Sequence, residues 1–151
     1  MLLLEFENKG NVVYHVTHSS YLPKLNNEGL KLMQTSNWVK ADQAGEESRY
    51  FEEPMLFAFE SALDAFRWAF KQQWELKQPA AVLRIKNDGK WFDDPSEDFM
   101  LQAGQGKALA RKSPVPPTDI VDTMELDDLN ELMAEIGGTF NDAMEQHPWN
   151  N

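Results

Sequence analysis

The chain has no cysteine, so it can form neither a disulfide nor a thiolate metal site, which fits any compartment. Histidine is scarce: His15, His18 and His147 are the three present. His15 and His18 lie three apart at the end of an apolar run that reads as a strand, where they do not converge as on a helix, so metal binding by them with a loop carboxylate is a weak pattern and no metal site is expected. No 18-residue apolar run occurs, which argues against a membrane span. Met1–Phe6 is short and lacks the basic flank of a signal peptide, so a cytoplasmic location is expected. Basic residues are also few. The 14 lysines and arginines against 25 acidic side chains give a net charge of −11. General nucleic-acid binding, which needs a basic face, is therefore not expected, although a nucleotide in a locally basic pocket is not excluded. The acidity serves solubility or imitates nucleic acid toward a basic partner. P-loop, GxGxxG and GxSxG patterns are absent. Paired carboxylates such as Glu46-Glu47, Glu52-Glu53 and Asp93-Asp94 read as solvated faces in so acidic a chain.

What is present is a chain of 151 residues with 42% apolar and 11% aromatic content, enough for one domain with a real core. Its organising stretch is Asn11–Leu30. Val12-Val13-Tyr14 suits a buried strand, and the two-residue period puts His15 and Thr17 on one face at its end. Ser19 and Ser20 can cap a short helix carrying Tyr21, Leu22 and Leu25, with Gly29 as its C′ residue. By itself His15 fits a half-buried histidine satisfying a backbone carbonyl as well as it fits a site.

Around that stretch, Leu2–Phe6 reads as a strand and Glu7–Gly10 as a turn. Met33–Pro54 is a long irregular piece whose Trp38, Arg49, Tyr50 and Phe51 either pack beneath it or form a ligand wall. Met55–Phe59 is a buried strand. Ser61, with Asp64 three residues on, caps a helix that runs to about Lys77 and stops at Pro79. Its stripe Leu63, Phe66, Phe70 and Trp74 should face the core. Ala80–Ile85 is a strand, Asn87–Gly89 a turn, and Trp91-Phe92 leads into a second irregular section with a short element at Phe99–Leu101. Lys107–Arg111 reads as a strand, Ser113–Pro117 as its extended exit and Ile120–Leu126 as the last strand. Asp127 should cap a final helix with Leu129, Leu132, Met133 and Ile136 on one face, ended by Gly137-Gly138. Residues 1–138 form one domain, and 139–151 are either a turn around Phe140 and Met144 or a frayed tail. The fold expected is α+β, with two small antiparallel sheets packed face to face and flanking helices.

Tyr14-His15-x-Thr17, then Leu22, Leu25 and Glu28-Gly29-Leu30, resembles the first motif of the ADP-ribosyltransferase superfamily. LFAFES at Leu56–Ser61, followed by the Ala62–Lys77 helix, resembles its second. Ala81–Ile85 is similar to its central strand, and Lys107–Ile120 to its late strand with a proline-containing exit. The resemblance covers about Val12 to Leu126. It implies an antiparallel two-sheet fold whose cleft takes NAD, with ADP-ribose transferred to a protein or nucleic-acid acceptor. It implies that His15 hydrogen-bonds the adenosine-side ribose, that Thr17 supports the nicotinamide-binding strand, whose backbone amide pairs with the carboxamide, and that Tyr14 belongs to the same cofactor-binding motif. Phe57 or Phe59 would stack on nicotinamide, Ser61 would match the small hydroxyl residue, and Arg49 would reach a phosphate. The family's catalytic glutamate has no acidic match. The nearest residues are Gln102, Gln105 and Lys107, with Glu97 and Asp98 upstream. Gln105, taken at that place beside His15, can hydrogen-bond a ribose but cannot act as a base. The alternative is an inactive acidic binding or inhibitor protein acting on a basic partner.

Overall fold

The run Val12–His18 forms strand β1, and its alternation divides the interior into two cores. The structure, a computed structural model, describes residues 11–32, 55–93, 108–139, 142, 143 and 145. The elements expected at 2–6, 33–54 and 99–101 lie outside the described residues. After β1 come a 3-10 turn at Ser19–Tyr21, α1 (Leu22–Glu28), β2 (Leu56–Phe59), α2 (Ala62–Leu76), β3 (Ala80–Lys86), β4 (Phe92–Asp93) and β5 (Ala108–Arg111). A second 3-10 turn at Pro117–Asp119 leads to β6 (Ile120–Glu125) and α3 (Leu126–Ile136). None of the described helices is long and apolar enough to cross a membrane.

The architecture is α+β. Its strands run antiparallel in the order β4-β5-β2-β1-β3-β6. This is one sheet, where the sequence reading expected two packed face to face. β1 pairs with β3 along its whole length, from Val12↔Lys86 to His18↔Ala80. β1 and β2, in contrast, share one register pair, Tyr14↔Phe59. That seam joins the halves β4-β5-β2 and β1-β3-β6. Four strand spacings separate β3 from β4, about 19 Å in a flat sheet. Residues 87–91 must bridge them, yet they fold back on themselves: Gly89 N donates to Asn87 Oδ1 at 3.0 Å and Lys90 N to Asp88 Oδ1 at 3.1 Å. So compact a link draws β3 and β4 closer together than in a flat sheet.

One face carries Tyr14, Val16, Phe59 and Val82 and is covered by α2 and α3 through Ala65, Phe66, Ala69, Leu126 and Leu129. The other carries Val13, Leu56, Ala58, Leu83, Ile85 and Leu109 and is covered by Leu25, Leu30 and Val115. Ala143 is buried in the first core. It follows a reciprocal cap in which Thr139 N donates to Asp142 Oδ2 at 2.8 Å and Asp142 N to Thr139 Oγ1 at 3.3 Å. The same bonds hold the Asp142 carboxyl below the usual carboxylate range.

Several local expectations are met and others corrected. Ser61 caps α2, accepting from Asp64 N at 3.4 Å. The stripe on α2 is shifted, however. Ala65, Phe66, Ala69 and Gln72 are its buried residues, Leu63 and Phe70 are partly buried, and Trp74 is 79% exposed. At 3.6 residues per turn Trp74 lies about 150° round the helix from that buried set. Small Ala65 and Ala69 let α2 approach the sheet closely. Ser19 and Ser20 do not cap α1: the 3-10 turn intervenes and Pro23 takes the first turn. Asp127 does not cap α3 either; the N-cap is Glu125, without a side-chain bond, and Asp127 and Asp128 occupy the first turn, where they favour the helix dipole. Gly29 ends α1 as expected, with φ 74° and ψ −169°, a region open to glycine almost alone. A Cβ there would stand 2.1 Å from the Val115 carbonyl oxygen. Its absence lets Leu30 and Val115 exchange two main-chain bonds of 2.9 Å, tying the first motif to the proline-rich exit of β5.

Candidate functional site

Beyond the Tyr14↔Phe59 pair the imidazole of His15 spans the seam, its Nδ1 lying 2.5 Å from the Phe57 carbonyl oxygen. A carbonyl only accepts, so Nδ1 carries the proton and Nε2 presents a lone pair. The ring is 7% exposed. Burial pushes the His15 pKa below its ordinary value, opposed by the smaller effect of the Phe57 bond. The ring is thus held neutral, in one tautomer, with a buried Nε2 that has no hydrogen-bond partner.

Thr17 follows two residues on, on the same face by alternation and about 7 Å along the strand. It is wholly buried, and its Oγ1 has no partner either. Buried polar atoms are paired in the great majority of cases, so two orphans on one face of one strand call for a ligand or an ordered water. This exceeds what a satisfied core histidine provides, because only one of the His15 nitrogens is used.

The other named residues that the structure describes do not lie on this face. Tyr14 and Phe59 lie opposite each other on the α2 side of the sheet, and the Phe59 ring tilts against Trp68 with centroids 6.4 Å apart. Burial raises the Tyr14 pKa, and nearby Arg84 opposes the rise by its charge and a hydrogen bond. Phe57 alternates with its neighbours onto the Phe59 side, so what it gives His15 is its backbone carbonyl. Ser61 serves as the α2 cap. Arg49 and Gln105 lie outside the described residues. His15 and His18, three apart in β1, point to opposite faces, and no cluster of three or more metal-ligating side chains occurs among the described residues.

Arg111 is the residue whose importance the sequence did not show. It is 0% exposed, and all three of its guanidinium nitrogens donate. Nε donates to Ser113 O at 2.8 Å, Nη1 to the two Asp88 oxygens at 3.1 and 3.3 Å, and Nη2 to Ser113 Oγ at 3.0 Å and Pro114 O at 2.8 Å. The Trp91 ring lies 5.1 Å from its guanidinium carbon. With all three nitrogens engaged, this guanidinium is a clamp between the β5 exit and the β3–β4 turn, and it is not available to a phosphate. The available signal was thin: one arginine closing an apolar strand before Ser-Pro, and one aspartate in a turn.

No protein-family model matches the chain, and no curated protein matches it.

Proposed function

We propose that the protein binds NAD at the His15–Thr17 face of the seam and acts as an ADP-ribosyltransferase-like protein, passing ADP-ribose to a protein or nucleic-acid acceptor. The observation that carries this reading is the orphaned Nε2 of His15. A neutral, tautomer-fixed acceptor suits a ribose hydroxyl, which has a proton to donate. The residue that the resemblance assigns to a ribose has a second ring nitrogen that lacks a partner. Two antiparallel half-sheets meeting at one register pair agree with a cleft between them, as the resemblance implies. NAD would supply the activated nicotinamide–ribosyl bond. His15 would hold the ribose, and Thr17 would extend the polar wall beside it. Binding and transfer are separable, because Gln105 cannot take up a proton from an acceptor.

Thermal unfolding tests binding. NAD at a hundredfold excess over its Kd should raise Tm by about 5 °C or more, and His15→Ala should abolish the rise. Incubation with radiolabelled NAD and cell extract then tests transfer. Labelled protein or nucleic acid supports the transferase, whereas binding without label supports a non-transferring relative.

A second reading is favoured by charge. From Ser113 to the C-terminus the chain holds no lysine or arginine, and Asp122, Glu125, Asp127, Asp128, Glu131 and Glu135 are exposed on β6 and α3. On that reading the acidic surface of β6 and α3 engages a basic partner. The binding would weaken with salt and survive His15→Ala.

A further inference from the structure

Trp74 leaves a large apolar ring in water on the side of α2 away from the sheet. Arg67 and Lys71, seven and three residues before it, share its side of the helix, and both are exposed. The Lys77 ammonium lies 5.4 Å from the Trp74 ring, and the Lys71 ammonium 5.5 Å from the Trp68 ring. Glu75 flanks the strip on one side and Lys77 on the other. In a chain of net charge −11, α2 thus presents a basic-aromatic strip to solvent.

The neighbouring helix carries its complement. α3 touches α2 and covers the same face of the sheet. On it Asp128, Glu131 and Glu135 recur at i, i+3 and i+7 and are exposed, turned away from the buried Leu126 and Leu129. Each strip covers seven residues of rise, about 10 Å along its helix. No ion pair among the described residues neutralises Arg67, Lys71, Asp128, Glu131 or Glu135.

Both strips lie in one helical layer. A two-fold axis through that layer sets α2 of one copy on α3 of the other and repeats the contact, which closes the pair. At physiological ionic strength charges more than about 8 Å apart are screened, so facing strips outweigh the net charge. A nucleic acid on the α2 strip would instead run beside the acids of α3, which repel it. We propose that the protein forms a two-fold dimer through this layer. Arg67, Lys71 and Trp74 of one copy dock on the Asp128, Glu131 and Glu135 strip of a second copy, with Trp74 as the apolar anchor. The dimer surface lies on the sheet face opposite His15 and Thr17, so it is independent of the NAD reading.

Sedimentation velocity on the full chain tests it, from about 10 µM to about 1 mM protein at physiological salt. The mass of wild type should rise from that of one chain to that of two. Trp74→Ala should weaken the association about tenfold. So should each of two strip reversals, Arg67→Glu with Lys71→Glu and Glu131→Lys with Glu135→Lys. The decisive sample is an equal mixture of the two reversals, in which both contacts regain opposite charges. The mixture should dimerise within about threefold of wild type. Wild type that stays a single chain at every concentration overturns the proposal. Association unchanged in Trp74→Ala or in both reversals also overturns it, by placing the contact elsewhere. Reversals that the mixture does not restore overturn the pairing of α2 with α3, and mass growing past two chains overturns the two-fold closure.

Discussion

His15 Nδ1 donates to the carbonyl oxygen of Phe57 across the join between β1 and β2. The bond does two things at once. It links the halves of the sheet next to their one register pair, and it fixes which ring nitrogen is left to accept. A structural contact therefore sets the chemistry of the atom that faces the proposed ligand.

The same burial makes stability depend on pH. The His15 pKa is lowered in the folded protein by desolvation, while the unfolded chain takes up the proton near pH 6.5. The histidine's contribution is therefore fully present above about pH 6.5 and is lost as pH falls toward the folded value, by up to about 1.4 kcal/mol per pH unit. Urea unfolding of wild type and His15→Gln between pH 5 and 8 checks this, and the variant should show the flatter profile.

Gly29→Ala should destabilise by about 3 kcal/mol or more, since alanine is strained in that backbone region and its Cβ would meet the Val115 carbonyl. The Leu30–Val115 bridge should open with it. Hydrogen exchange at the Leu30 and Val115 amides reads that opening directly, apart from any global loss.

Asp88→Asn should cost about 2 kcal/mol, the scale of a hydrogen bond to a charged group, because it leaves a fully buried guanidinium without its counter-charge. Arg111→Lys should not rescue the clamp, since an ammonium cannot reproduce a planar fork that reaches Asp88, Ser113 and Pro114 together. Denaturant midpoints of the two variants measure both effects.

On α2, Phe66→Ala should cost about 3–5 kcal/mol, whereas Trp74→Ala should change stability by no more than about 0.5 kcal/mol. Phe66 is wholly buried while Trp74 is exposed, its ring 5.4 Å from the Lys77 ammonium.

These contrasts show where the sequence was legible. β1, β2 and β3 were readable because each is a short, largely apolar run, β6 because Ile120, Val121 and Met124 still give a strand-like pattern, and the start of α2 because Ser61 and Asp64 form a local cap. His15 and Thr17 shared a face by alternation alone. Which helices cover which face is a long-range matter, so Tyr14 and Phe59 could not be placed against α2, on the opposite face, from sequence. The stripe through Trp74 failed because the closest packing of α2 uses two alanines, which carry little hydrophobic signal. Arg111 was opaque because its carboxylate partner lies 23 residues away in a turn.

The measurement that bears most directly on the central claim is titration of NAD into wild type and His15→Ala, both shown to be folded by circular dichroism. Saturable one-site binding by wild type, weakened tenfold or more in the variant, is the result expected. Absence of heat at millimolar NAD, or equal binding by the two proteins, would contradict the assignment of this site.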